Sequence, residues 1–181
     1  MAEPPDYQIR RATAADYPAL SNLERRAFTE LGSAFYPLQD IECALDHFEG
    51  LNLRLIEEGH YFVLTDSEQH LLAAGGWSRG ELEYIKSEQS TYGENGTGVV
   101  RCVYVSPQYA RRGLAQKVLR RIETDALSVG LHWLTLTASK TAEALYLRAG
   151  YTPSPYWDVR LPNGHILPLR PMKKNLVSDS A

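Results

Sequence analysis

The sequence is poor in cysteine: Cys43 and Cys102 are the only two among 181 residues. They stand far apart, with no CxxC pair and no Cys/His cluster around them, so no metal is expected. Two buried free thiols fit a reducing compartment. Long apolar runs are lacking too. No stretch approaches the ~18 apolar residues of a membrane span, and the opening MAEPPDYQIRR contains no apolar run at all. Neither a secretory signal nor a membrane is expected, and the chain is expected to be cytoplasmic. A basic excess is missing as well. The 19 Lys and Arg face 22 Asp and Glu, for a formal net charge of −3. That balance argues against a general nucleic-acid binder. GxGxxG and GxxxxGK[ST] do not occur, so neither a dinucleotide-binding fold nor a P-loop is indicated. Internal repeats and low-complexity segments are also absent.

What remains is an ordinary globular composition, 44% hydrophobic and 23% charged, on a chain long enough for one well-filled core. A single domain is expected over 1–181, with about 1–6 and 176–181 flexible. Tyr7 to Arg10 reads as a short strand. Thr13 and Asp16 have capping-box spacing, and Leu20, Leu23, Ala27, Phe28 and Leu31 predict a helix from Ala14 to Thr29. A second helix carries Ile41, Ala44, Leu45 and Phe48, and a short third piece spans Asn52 to Glu58. Tyr61–Thr65 and Leu71–Trp77 read as a hairpin. Gly75-Gly76 suggests a bulge or a close approach to the backbone. Ser78 to Gly98 reads as a long loop, of a kind that is often functional. Farther on, Leu114, Val118, Leu119, Ile122 and Ala126 make one helical stripe. Trp133–Thr137 reads as a strand and Ala142–Tyr146 as a short helix. Tyr156–Leu161 and His165–Met172 form a hairpin around Asn163-Gly164. A strand–helix–strand unit requires a crossover and hence some parallel pairing. The fold class is therefore α/β, with helices on the faces of a mixed α+β sheet.

The stretch with the most chemistry is VVRCVYVSPQYARRGLA, Val99 to Ala115. A β-branched strand ends before Pro107, which cannot donate a ladder bond. Arg111-Arg112-Gly113-Leu114-Ala115 then opens a helix. Two cations and a helix N-terminus with unpartnered amides suit an anionic phosphate. The bland alternative is a tight strand–helix turn in which Gly113 only lets the helix pack.

This stretch, followed by a helix, a strand and AEALYLRAGYTP, resembles the GNAT superfamily of N-acetyltransferases. Gly113 and Ala115 match the last two defined positions of that family's [QR]xxGx[GA] loop, and Ala110 stands at the first. Ser139, Ala142, Tyr146, Gly150 and Tyr151 follow the spacing of NxxAxxxYxxxGF, with Ser for Asn and Tyr for Phe. The resemblance implies a central mixed sheet of six to seven strands, flanked by about four helices, whose parallel strands splay apart. It implies acetyl-CoA as co-substrate and no metal. Val103, Tyr104 and Val105 would hold pantetheine by strand-like pairing. Arg111, Arg112, Gly113, Leu114, Ala115 and Gln116 would hold the pyrophosphate, with Ser139 and Ala142 nearby. The implied reaction is acetyl transfer to a primary amine of a small molecule or peptide, by direct attack in a ternary complex. A strand amide near Val103 would serve the oxyanion, and Tyr146 would be the general acid at the sulfur. The alternative on the same scaffold is a non-catalytic acyl-CoA-binding sensor. A monomer or homodimer is implied.

The base is read less directly. Glu81 and Glu83 follow the third strand and are candidates, with Glu94 and His60 behind them. Phe35, Tyr36, Trp77 and Arg101 are candidates for the acceptor pocket. A cation at Arg101 would suit an acceptor carrying a carboxylate. The aromatic side chains could equally be core.

Overall fold

The structure, a computed structural model, describes residues 7–48, 50–51, 53–79 and 96–177. The first strand, β1, is Gln8–Arg11. After it, the Asp16 carboxylate accepts the Thr13 backbone N–H at 2.8 Å, the reach-back arm of the capping box. A 3-10 turn over Ala14–Asp16 leads into helix α1, Tyr17–Gly32. The α-helical start thus falls three residues later than the spacing predicts. Pro18 sits in the first turn of α1, where its missing N–H costs nothing. Helices α2, Leu38–His47, and α3, Leu53–Glu57, follow.

Strands β2, Tyr61–Thr65, and β3, Leu71–Ser78, form the expected hairpin. Strand β4 runs Thr97–Val105, helix α4 Leu114–Ser128 and strand β5 Trp133–Ala138. Helix α5, Glu143–Arg148, precedes three further strands: β6, Thr152–Pro153; β7, Trp157–Arg160; and β8, Ile166–Asn175. The sheet order is β1-β2-β3-β4-β5-β8-β6, with β7 also on β8. Among the described residues the sheet has eight strands, against the expected six or seven. β6 has two residues, too few to show any period in the sequence. The short α3 likewise makes five helices among the described residues rather than about four.

The strands of the middle are buried on both faces, so they alternate between two cores rather than between core and water. Phe62 and Leu64 of β2 join Leu72 and Trp77 of β3 against the α4 stripe Leu114, Val118, Leu119, Ile122 and Ala126. Tyr61, Val63 and Ala74 face the other way, onto Leu20 and Leu23 of α1 and Leu55 and Ile56 of α3. A third cluster packs Tyr36, Ile41 and Ala44 against Leu161, Leu167 and Leu169 of the last hairpin.

Two irregularities mark this sheet. β4 and β5 are parallel neighbours, and α4 is their crossover. They pair only at Thr97↔Trp133, Gly98↔Leu134 and Val99↔Thr135. Beyond Val99, β4 stays with β3 and β5 stays with β8, so the two part. The second irregularity is a bulge. Ala74 pairs Tyr104 and Gly76 pairs Arg101, so Gly75 alone faces Cys102 and Val103. Cys102 takes a left-handed φ of 49°. Gly75 is required here by close approach. A Cβ on it would lie 2.9 Å from Val103 Cγ2 and 3.2 Å from Val118 Cγ1.

Candidate active site

The parting of β4 and β5 opens a cavity of about 500 Å³, in the range of small-molecule sites. Val100 to Tyr104 of β4 form one wall, and Leu136 to Ser139 with Ala142 and Tyr146 the other. α1 and α2 close it with Tyr17, Ser21, Glu24, Arg25, Phe28, Ala44, Leu45 and Phe48, and β8 adds Leu167 and Leu169.

Tyr146 is buried against the cavity, 6% exposed. It meets Tyr151 edge-on, with ring centroids 5.6 Å apart. Burial raises its phenol above the ordinary range, and Cys102 adds to the rise, so Tyr146 stays a proton donor into alkaline pH. Cys102 is half-buried beside it. Its carbonyl accepts the Tyr61 hydroxyl at 2.7 Å. Burial also pushes the Cys102 thiol up, reinforced by Glu24. A thiol held protonated in this way is a poor nucleophile, which counts against an acyl-cysteine intermediate.

On the other side of Cys102, the Tyr104 hydroxyl donates to Glu24 Oε1 at 2.9 Å. The Leu51 amide donates to the same oxygen at 3.2 Å. Burial raises Glu24 above the usual carboxylate range, outweighing the opposing effects of Tyr104, Leu51 and Arg25. Arg101 lines the cavity too, and its Nε donates to Ser78 Oγ at 2.9 Å.

The turn that opens α4 lies past the end of β4, at the open end of the parting. Gly113 is its N-cap, with φ 79°, and Arg111 is left-handed as well, at φ 63°. Arg111 and Arg112 are exposed, and Arg112 lies over the Tyr109 ring at 5.1 Å. The first-turn amides of a helix have no intrahelical acceptor. This turn therefore offers amides and two cations to an anion, as the sequence suggests.

The expected site residues separate into groups. Arg101, Val103, Tyr104, Ser139, Ala142 and Tyr146 all line one cavity. Arg111, Arg112, Gly113, Leu114, Ala115 and Gln116 stand at the α4 start, outside it, and Val105 packs on the α4-side core. Trp77 is a correction. It is fully buried in that core, donates its Nε1–H to Asp125 at 3.0 Å, and stacks on His60 with centroids 4.0 Å apart. Phe35 is a second correction, because it is half exposed and outside the cavity wall. Tyr36 is a third. Its hydroxyl accepts the Lys140 amide at 2.7 Å, so it ties the α1–α2 connection to the turn after β5. His60 is committed to Asp125 at 2.7 Å and lies off the cavity. Glu81, Glu83 and Glu94 lie outside the described residues. The third strand and β4 also extend one and two residues into the expected Ser78–Gly98 loop.

Glu24 is what sequence reasoning missed. The signal was present. Leu20, Glu24, Ala27 and Leu31 repeat at helical spacing, so a carboxylate stands within the apolar stripe of α1.

An open mixed sheet whose central parallel strands part over a cavity is the fold of the N-acetyltransferases. An acetyltransferase from Listeria monocytogenes superposes with TM-score 0.69 at 16% identity, covering 97% of this chain and 98% of its own. YncA from Salmonella typhimurium, solved with its cofactor acetyl-CoA, gives TM-score 0.67 at 20% identity and 97% coverage of both. The PaiA N-acetyltransferase from Thermoplasma acidophilum, in complex with coenzyme A, gives 0.67 at 12% identity, covering 94% and 99%. At these identities the likeness is one of fold. No curated protein sequence matches significantly. The acetyltransferase (GNAT) family profile matches residues 17–151, and the chain belongs to that family.

Proposed function

We propose that this enzyme moves an acetyl group from acetyl-CoA to a primary amine of a small molecule or peptide, by direct attack in a ternary complex. One observation carries the reading: a buried, proton-retaining Tyr146 faces a cavity cut between two parted parallel strands. The backbone beyond Val99 is free of the β4–β5 ladder, which suits strand-like pairing with the amides of pantetheine. Gly113 to Gln116 and the two arginines suit the pyrophosphate. Acetyl-CoA supplies an activated acyl carbon. An amide of β4 near Val103 serves the developing oxyanion, and the Tyr146 hydroxyl gives its proton to the departing sulfur. The raised Cys102 thiol favours direct attack over a two-step route through cysteine.

The test is thiol release from acetyl-CoA across a panel of amines. Tyr146→Phe is expected to lower kcat by about 100-fold with acetyl-CoA affinity unchanged. Binding of acetyl-CoA with no thiol release for any amine would support the sensor reading instead. Undiminished kcat in the variant would remove Tyr146 from the acid role.

A further inference from the structure

The α1 wall of the cavity sets one carboxylate among largely apolar side chains. Glu24 stands on α1 with Ser21, Arg25 and Phe28 on the cavity wall, and Leu45, Phe48, Leu51, Leu167 and Leu169 make the apolar part of the lining. The carboxylate is held rather than loose. Tyr104 donates to it from β4 at 2.9 Å and the Leu51 amide from the α2–α3 connection at 3.2 Å. The neighbouring Gly50 lies so close that a Cβ there would sit 2.0 Å from Oε1. A carboxylate inside an apolar wall is costly unless something compensates. Two neutral donors and the Arg25 charge offset that cost only in part, as the raised proton affinity of Glu24 records.

From this geometry we propose that Glu24 is the seat of the acceptor amine. It binds the acceptor's ammonium group, takes one proton from it, and so selects amines carried on an apolar body. The inference rests on the acetyl-transfer reading above and adds the base and the acceptor class to it. The ammonium gives one N–H proton to the Glu24 carboxylate. The freed lone pair forms the C–N bond to the acetyl carbon, and the C–S bond breaks. The second proton leaves the nitrogen as the thiol is formed with the help of Tyr146, and the Glu24 proton passes to water. The products are the acetylated amine, a free thiol and one released proton.

Among the described residues, the titratable groups that act on Glu24 are Tyr104 and Cys102 of β4, Tyr61 of β2 and Arg25 of α1. Arg101 of β4, Tyr17 of α1 and Tyr146 of α5 share the cavity lining, and the α2 side chains in it are apolar. The phenols and the thiol among them whose proton affinity shifts are all held protonated by burial. An acid limb in the rate, above the ordinary carboxylate range, therefore reports Glu24.

The experiment uses the full chain, 2-phenylethylamine as probe and 2-phenylethanol as its uncharged control. Calorimetry on the wild type is expected to favour the amine by about tenfold or more. Glu24→Gln, which keeps the shape of the side chain and an acceptor for Leu51, is expected to lose that preference while binding acetyl-CoA normally. At pH 7 its kcat/KM should fall by about 100-fold, and its rate should climb with pH up to the pKa of the amine itself. Gly50→Ala, which displaces the carboxylate without removing it, should move both readouts in the same direction. Equal amine binding in Glu24→Gln, an unchanged pH profile, or a wild type that prefers neither probe overturns the inference. Thiol release with other amines but none that depends on Glu24 leaves acetyl transfer standing and removes the seat. Glu24-dependent amine binding with no thiol release does the reverse.

Discussion

Asp125→Ala should loosen the joint that fixes α4 to the sheet. Asp125 is 4% exposed, and its carboxylate accepts three donors from three different segments. These are Trp77 Nε1 of β3 at 3.0 Å, His60 Nδ1 at 2.7 Å and Arg11 of β1 at 2.9 Å. The three are not equal. Arg11 is 52% exposed along its side chain, so it rehydrates when released and costs about 0–1 kcal/mol. Trp77 is fully buried, so its indole N–H is left without a partner, at about 1–3 kcal/mol. With the partly buried His60, the loss comes to about 3 kcal/mol. For a chain of this length that is a fall in Tm of about 6–12 °C, read by thermal melting followed by circular dichroism. Trp77→Phe removes the donor that Asp125 serves. The double variant should therefore be less destabilised than the sum of the singles, by about 1–2 kcal/mol. A melting point for Asp125→Ala within about 2 °C of wild type, or full additivity with Trp77→Phe, would refute the reasoning.

Two other variants probe the scaffold. The Arg10 guanidinium, with help from the Thr13 N–H and hydroxyl, holds the Asp16 carboxyl down to about 2. A lowered folded-state pKa makes this contribution complete at neutral pH and lost as pH falls from about 4 toward about 2. Arg10 is 44% exposed, so Asp16→Asn should cost only about 1 kcal/mol at pH 7 and only a small part of that at pH 2. Equal stabilities at both pH values would count against the ion pair. Gly75→Ala pushes a methyl into Val103 and Val118, at about 1–3 kcal/mol of overpacking. Because Val103 lies on the strand that borders the cavity, KM for acetyl-CoA should rise several-fold at temperatures where the variant is folded. An unchanged KM would separate the bulge from cofactor binding.

The sequence showed its helices well and its site unevenly, for reasons particular residues make plain. Tyr146 was legible because a fixed spacing to Ala142 and Gly150 places it on one short helix, a purely local matter. Trp77 was not, because β3 is buried on both faces, so an aromatic there has no polar neighbour to say which side is cavity and which is core. Phe35 and Tyr36 are adjacent in the chain yet end exposed and buried, a difference set by the last hairpin more than 100 residues away. Glu24 was legible in principle, as the one charge inside an apolar stripe. Its partners on β4 and beside Gly50 are known only from the fold. Gly75-Gly76 announced a bulge, but not that the extra residue lies on the opposite strand. That extra residue joins the two halves of the site. Val100 packs on the α4 side, and regular alternation would send Cys102 and Tyr104 to that side with it. Instead Val103 and Val105 face α4, while Cys102 and Tyr104 face α1. The left-handed turn at Cys102 costs about 1–2 kcal/mol, and without it Tyr104 would point away from Glu24. Strain retained at such a position is accounted for by what it aims. The same distortion that turns Val103 and Val105 onto α4 brings the Tyr104 hydroxyl to the Glu24 carboxylate.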